Sequence, residues 1–294
     1  MELRRLWQIV GVLLAAILLS GCTMLLNPAS IGQDNPHLLL GNPSGATIFN
    51  AKNYLISRPQ YALSYNRDKG ISNWVSWQLN QTWLGQLPRP PFEPDLSLPS
   101  GWYQVKPNDY TGTGFDRGHL IPAADRNKLE ADSKAVFLMT NILPQAPDNN
   151  QGPWERLESY CRDLVRQGKE LYIIAGSSGV GGIGMKGKRT TIAAGKITVP
   201  EQLWKIVVVL NQPGLGIETI TAETPVIAVV MPNQQGIKEA HWKSYRTSID
   251  AVEQLTGYDF LSTVPEPIQT ALEAKNNAPI TAAPVTVVPI TVTP

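Results

Sequence analysis

Two apolar, β-branched runs, LWKIVVVL at 203–210 and PVIAVVMP at 225–232, constrain the fold more than any other feature. A strand that is apolar on both faces must be covered on both, so these two belong in the centre of a buried sheet. YLIS, YALSY, ISNWVSWQL, ELYIIAG and KITVP are shorter apolar or alternating runs and read as further strands. At 43% apolar and 17% charged over 294 residues, the chain can bury a real core.

The two ends read differently. MELRRLWQ is basic and IVGVLLAAILLS is apolar but short for a membrane span, so residues 1–21 read as an export signal. Leu19-Ser20-Gly21-Cys22 resembles a bacterial lipobox, which predicts lipidation at Cys22 and anchoring in the cell envelope or periplasm. The alternative is an ordinary cleaved signal and a secreted protein. Residues 22–50, rich in Gly, Pro, Asn and Ser, read as a tether or loosely packed arm. Residues 51–264 read as the folded domain, and the Pro/Thr/Ala-rich 265–294 as a disordered tail. Cys161 is then the second of only two cysteines and reads as a small core residue.

Between Phe115 and Arg162 lie the residues best suited to chemistry. FDRGHLIP reads as a strand, ADRNKLEADSKAVFL as turn and helix, and PQAPDNNQGP as loop. A helix follows from about Pro153 to Gly168, with Pro at its start and Gly past its end. Trp154, Leu157, Cys161, Leu164 and Val165 share its apolar face. Glu158 lies beside that face one turn before Arg162, and helix geometry alone makes the two an i,i+4 salt bridge. Upstream, residues 86–101 carry five prolines' worth of stiffness around Arg89: Pro88, Pro90, Pro91, Pro94 and Pro99. Downstream, GVGGIGMKGKR brings Lys186, Lys188 and Arg189 into the acid-free segment 171–200. It reads either as a solvated turn or as a flexible basic loop that touches phosphates. RTSIDAVEQLTG reads as a closing helix ended by Gly257.

His119 is one of three histidines and can take up a proton near neutral pH. Asn141, Asn149, Asn150 and Glu158 offer the hard oxygens that Mg²⁺ accepts. A base and a hard-metal site this close in sequence point to metal-assisted hydrolysis. Zinc is disfavoured because His37, His119 and His241 are far apart and no cysteine pair is suitably spaced. GxSxG and a dinucleotide fingerprint are both missing. Formal net charge is +1, and loss of 1–21 would remove Arg4, Arg5 and Glu2, so any polyanion must be held by a local patch.

FDRGHLIPAADR, followed by TNILPQAPDNNQGPWERLESYCR, resembles the DNA/RNA non-specific endonuclease family. The similarity runs from about His37 to Thr263 and is greatest to the secreted, sugar-non-specific cyanobacterial type. It implies an α+β, ββα-metal nuclease fold with a central, mainly antiparallel sheet flanked by helices. It implies that His119 is the general base, Asn150 the one direct protein ligand of Mg²⁺ (with Mn²⁺ as an alternative), and Glu158 a ligand through water. Arg162 would face the phosphate or brace Glu158. Arg117 would contact substrate or order the site, and Asp116 would fix the turn. Arg89, the only arginine of the Pro-rich loop, takes the role of stabilising the transition state. Substrate contacts are then expected from Arg117, Arg162, Lys186, Lys188 and Arg189. The resemblance further implies cleavage of DNA and RNA to 5′-phosphates without strong sequence preference, and it leaves room for a protein inhibitor as partner. An imidazole base must be neutral, so with an ordinary pKa of about 6.5 activity is expected to rise through pH 6–7. The rival readings are another metal-dependent envelope phosphodiesterase and a non-catalytic lipoprotein that binds nucleic acid.

Overall fold

The computed structural model describes residues 35–275; the signal segment, Cys22 and residues 276–294 lie outside that range. The strands in chain order are β1 (Tyr54–Arg58), β2 (Tyr61–Asn66), β3 (Ile71–Leu79), β4 (Asp116–His119), β5 (Ile142–Gln145) and β6 (Glu170–Ser178). They continue with β7 (Gly182–Gly184), β8 (Gly187–Arg189), β9 (Thr191–Ile192), β10 (Ile197–Thr198), β11 (Gln202–Leu210), β12 (Val226–Pro232) and β13 (Arg246–Thr247). The principal helices are α1 (Glu130–Val136), α2 (Glu155–Arg166), α3 (Ile249–Thr256) and α4 (Glu266–Glu273). None is long and apolar enough to cross a membrane.

Seven strands form one sheet in the order β1-β2-β3-β6-β11-β12-β13, with antiparallel neighbours throughout. The two runs that opened the argument are β11 and β12, paired from Gln202↔Pro232 to Val208↔Val226. Because side chains alternate along a strand, β11 feeds two cores. Leu203, Val207 and Val209 enter a core with Val75, Trp77, Ile173 and the α2 residues Leu157, Cys161 and Val165. Trp204, Ile206, Val208 and Leu210 enter a second core, with Trp74, Ile174, Phe260 and the α3 residues Ile249 and Val252. The architecture is therefore three-layered, with the β4–β5–α2 unit on one face of the sheet and α3 and α4 on the other.

Three regions depart from the sequence reading. Residues 35–50 do not form a loose arm: Leu38, Leu40 and Ala46 are buried in the second core, and Ser76 Oγ donates to the His37 carbonyl at 2.6 Å. The tail does not begin at 265: α4 covers the same face, with Leu272 fully buried. The basic Gly-rich loop is a short hairpin, β7 against β8, with Gly182 opposite Arg189. The closing helix matches expectation. Ser248 Oγ caps it by accepting from Ala251 N–H, and Gly257 ends it at φ +72, a left-handed conformation that suits glycine.

Candidate active site

β4 and β5 form a two-stranded antiparallel ribbon with Asp116 opposite Gln145 and His119 opposite Ile142. Gly118 is required within it, because a Cβ there would collide with the Gln145 side chain. After β5 the chain winds where a loop was expected, through a helical turn at Pro147–Asn149 and a π-type turn at Asn150–Trp154, into α2. Such π turns often accompany functional sites. Gly152 carries the break (φ −117, ψ −117), and a Cβ there would lie 2.7 Å from the Lys238 carbonyl oxygen. The resulting strand–strand–helix unit brings His119, Asn150 and Glu158 to one place.

The three asparagines separate by what they bond. Asn141 is buried and clamps the segment after β4: its Oδ1 accepts from Ile121 N–H, and its Nδ2 donates to the carbonyls of Ile121 and Val136. Asn149 is buried too, donating to the Pro232 carbonyl and accepting from Gln145 Nε2. Asn141 is engaged with backbone groups and Asn149 with the Pro232 carbonyl and the Gln145 side chain, and neither lines the cavity that holds His119. Asn150 differs. Its Nδ2 donates to Asp116 Oδ2 at 2.8 Å, which fixes the amide orientation and leaves its carbonyl oxygen for a cation. Asp116 also accepts from Gln151 Nε2 at 2.9 Å.

A cavity of about 420 Å³ is lined by Arg89, Arg117, His119, Asn150, Gln151, Glu155 and Glu158. A second of about 420 Å³ shares Arg89, Arg117 and Asn150 with it and extends past Phe92, Tyr110 and Gly112. Together they make one cleft with two lobes. His119 is 8% exposed, and its Nε2 has no hydrogen-bond partner. Phe137 and Phe92 pack on the ring at 4.8 and 5.2 Å between centroids. Burial, with help from the charge of Arg89, lowers its pKa to about 3. The imidazole is therefore neutral at lower pH than the ordinary histidine value, on which the expected rise in activity through pH 6–7 rests, would give. Arg89 lies over Phe137 at 5.2 Å and Arg117 over Phe92 at 5.0 Å, and Arg117 donates to the Pro107 carbonyl. The same rings that dry the histidine thus hold both guanidinium groups in the cleft.

Glu158 and Arg162 do not form the expected i,i+4 pair. Arg162 turns inward, with NH1 3.2 Å from Asp125 Oδ1 and NH2 on Ser159 Oγ; Asp125 in turn accepts from Trp77 Nε1. Arg162 is therefore a buried brace for the segment after β4 and not a phosphate-facing group. Glu158 pairs instead with Lys205 of β11, Nζ to Oε1 3.5 Å. Burial pushes Glu158 up to about 7, against the pull of Lys205 and Arg162. Sequence reasoning passed over Lys205 and Asp125. The signal for the first was present, as the one charge inside LWKIVVVL. Lys186, Lys188 and Arg189 lie on the β7–β8 hairpin, away from His119. Lys186 Nζ donates to the Gly112 carbonyl at 2.6 Å, and Arg189 lines a cavity of about 330 Å³ that also reaches Gly112.

The donor set suits a hard divalent ion that keeps most of its water. It offers one amide oxygen fixed by a carboxylate and one half-buried carboxylate, with an imidazole lining the same cavity. The cleft lacks the several soft or imidazole ligands that zinc would want.

A model of the DNA/RNA non-specific endonuclease family matches residues 43–267. The chain belongs to that family. A nuclease from Nostoc sp. is 55% identical over 242 residues, covering 81% of this chain and 85% of the relative. Mouse mitochondrial nuclease EXOG is 30% identical over 208 residues, which span 68% of this chain and 55% of that protein. The solved EndoG/EndoGI complex, described as a mechanism of EndoG inhibition, superposes with a TM-score of 0.65 at 22% identity, over 80% of this chain and 92% of the other. The family resemblance and the α+β, ββα-metal fold expected from the sequence are thereby established. This endonuclease is a hydrolase, and the non-specific nucleases of its family are metal-dependent.

Proposed function

We propose that the protein hydrolyses phosphodiester bonds of DNA and RNA to 5′-phosphate products, with His119 as general base and one Mg²⁺, replaceable by Mn²⁺, held by Asn150. The reading rests above all on a neutral, largely buried His119 that lines the same cavity as Asn150 and Glu158. Asn150 would hold the ion directly, and Glu158 would hold its water shell. When bound, the ion supplies charge neutralisation at the phosphate and at the leaving 3′-oxygen.

The protein's own groups do the rest. The neutral His119 imidazole accepts the proton of the attacking water, and the Phe92 and Phe137 rings hold it in place. Arg89 and Arg117 neutralise charge that develops on the phosphoryl oxygens. Asp116 keeps the Asn150 amide from turning. Lys186, Lys188 and Arg189 would meet phosphates further along the strand, through the lobe at Gly112. Contacts confined to backbone phosphates carry no sequence information, so weak sequence preference follows. Since no 2′-hydroxyl takes part, both sugars are accepted. A protein inhibitor is a further expected partner, since the structurally similar EndoG is solved in complex with the inhibitor EndoGI. Export with a lipid on Cys22 remains part of this proposal and rests on Leu19–Cys22 alone.

The test incubates purified protein with plasmid DNA and with RNA, in Mg²⁺ and in excess chelator, and maps the ends formed. Both substrates should be cut to 5′-phosphates only with metal, and His119→Ala should slow this by about 10²–10⁴. Cleavage unaffected by chelator, or confined to small diesters, would rule the proposal out.

A further inference from the structure

Lys205 is the one charged residue in its row. Leu203, Val207 and Val209 precede and follow it on the same face of β11 and are buried in the core beneath α2. Lys205 is itself only 1% exposed. Its ammonium lies 4.0 Å from the centre of a Trp154 ring and 5.8 Å from that of Trp77. Its one ion-pair partner among the described residues is Glu158 Oε1.

Packing does not explain this charge. Removing an ammonium from water is costly, and a well-fitted apolar side chain in its place is often neutral or stabilising. A leucine or methionine would continue the row that Leu203 and Val207 define. Arg162, one turn along α2, adds its charge to the surroundings of Glu158 but makes its ion pairs with Asp125 and Glu155, so Lys205 is the cation in ion-pair contact with Glu158. The lysine enters from the sheet side while Glu158 lines the cleft. Its ammonium approaches Oε1 of that carboxylate at 3.5 Å. Trp154, the last residue of the π turn that carries Asn150, packs on the same ammonium.

We infer that Lys205 is a positioning residue for the metal site, fixing the Glu158 carboxylate from beneath and bracing the turn that presents Asn150 through Trp154. The inference rests on the reading of Asn150 and Glu158 as the residues that hold the ion. It places the rear wall of the site on the central sheet, where the family motif does not reach.

Lys205→Met keeps the length and the apolar stem and removes the charge. The probe is Mn²⁺ binding without nucleic acid, followed by electron paramagnetic resonance well below each variant's melting midpoint, beside plasmid-cleavage rates. Lys205→Met should weaken Mn²⁺ binding by about 10–100-fold, as losses of groups that orient metal ligands do, and slow cleavage with it. Combined with Glu158→Gln it should add less than about twofold to either loss, because the two act as one unit. Val207→Ala, two residues along the same row, should lower the melting temperature and leave Mn²⁺ affinity unchanged. Should Lys205→Met not fold, Lys205→Gln carries the same comparison. Parental Mn²⁺ affinity in the lysine variant, or losses that add fully to those of Glu158→Gln, would overturn the inference while leaving the metal reading intact. A silent Glu158→Gln would overturn both, and so tells the two failures apart.

Discussion

His37 and His119 are both buried, both held neutral by burial, and lie in different regions of the molecule. His37 sits against the second core, and both of its ring nitrogens are engaged. Nδ1 accepts from Gln78 N–H at 3.1 Å, and Nε2 meets the Pro59 carbonyl at 2.8 Å. His119 sits at the end of β4, flanked by aromatic rings, with Nε2 unpaired and a cavity beside it. The first is a satisfied structural group. The second is a neutral imidazole with one ring nitrogen unpaired, in the position the proposed base requires. Burial alone does not distinguish them; the fate of each ring nitrogen does.

Changes around His119 should therefore cost rate, and changes around His37 should cost stability. Asn150→Ala has the largest expected effect on the metal requirement. It should raise the Mg²⁺ concentration for half-maximal cleavage beyond the about 10–100-fold typical of groups one shell further out. A metal titration of initial rate checks this. Its neighbour Asn149→Ala should behave oppositely, destabilising by about 1–3 kcal/mol for each buried partner left unpaired, as seen in chemical denaturation. Reversed behaviour of the pair would mean the wrong asparagine has been assigned to the metal.

Glu158→Gln should slow cleavage by about 10–100-fold at saturating Mg²⁺ and melt within a few degrees of the parent. A rate within about twofold of the parent would remove Glu158 from the site.

A further prediction concerns pH and His37. Its pKa is lowered from 6.5 to about 4 on folding, chiefly by burial. Between those values the unfolded chain holds a proton that the folded chain does not. The contribution is therefore complete above the unfolded value and is lost as pH falls from about 6.5 to about 4, on the order of 3 kcal/mol in all. Denaturant midpoints measured across that range should fall with pH, and His37→Gln should flatten the slope. An unchanged slope in the variant would show that His37 does not hold its proton differently on folding.

Much of this was legible in the sequence, for reasons that also explain what was not. β11 and β12 stand out because long β-branched runs have few other ways to be buried. His119 and Asn150 were marked by a motif whose residues are close in the chain. The order in residues 35–50 was hidden because it comes from partners far away, such as Trp74 Nε1 donating to Ser44 Oγ. The helix α4 was hidden by a Pro/Thr/Ala-rich composition, and its anchor is one buried leucine, Leu272. The direction of Arg162 could not be read from helix periodicity, which finds neighbours one turn away but not Asp125 across the chain. Lys205 was in view as a lone charge in an apolar strand, yet alternation alone does not say what faces it.

The most direct test sets His119→Ala beside His37→Ala, measuring initial plasmid cleavage at saturating Mg²⁺ and the melting midpoint for both. The expected pattern is a crossing. His119→Ala should lose about 10²–10⁴ in rate and melt near the parent, whereas His37→Ala should melt lower and cut at the parental rate per folded molecule. A His119→Ala protein that cuts at the parental rate, or two variants that lose rate and stability together, would contradict it.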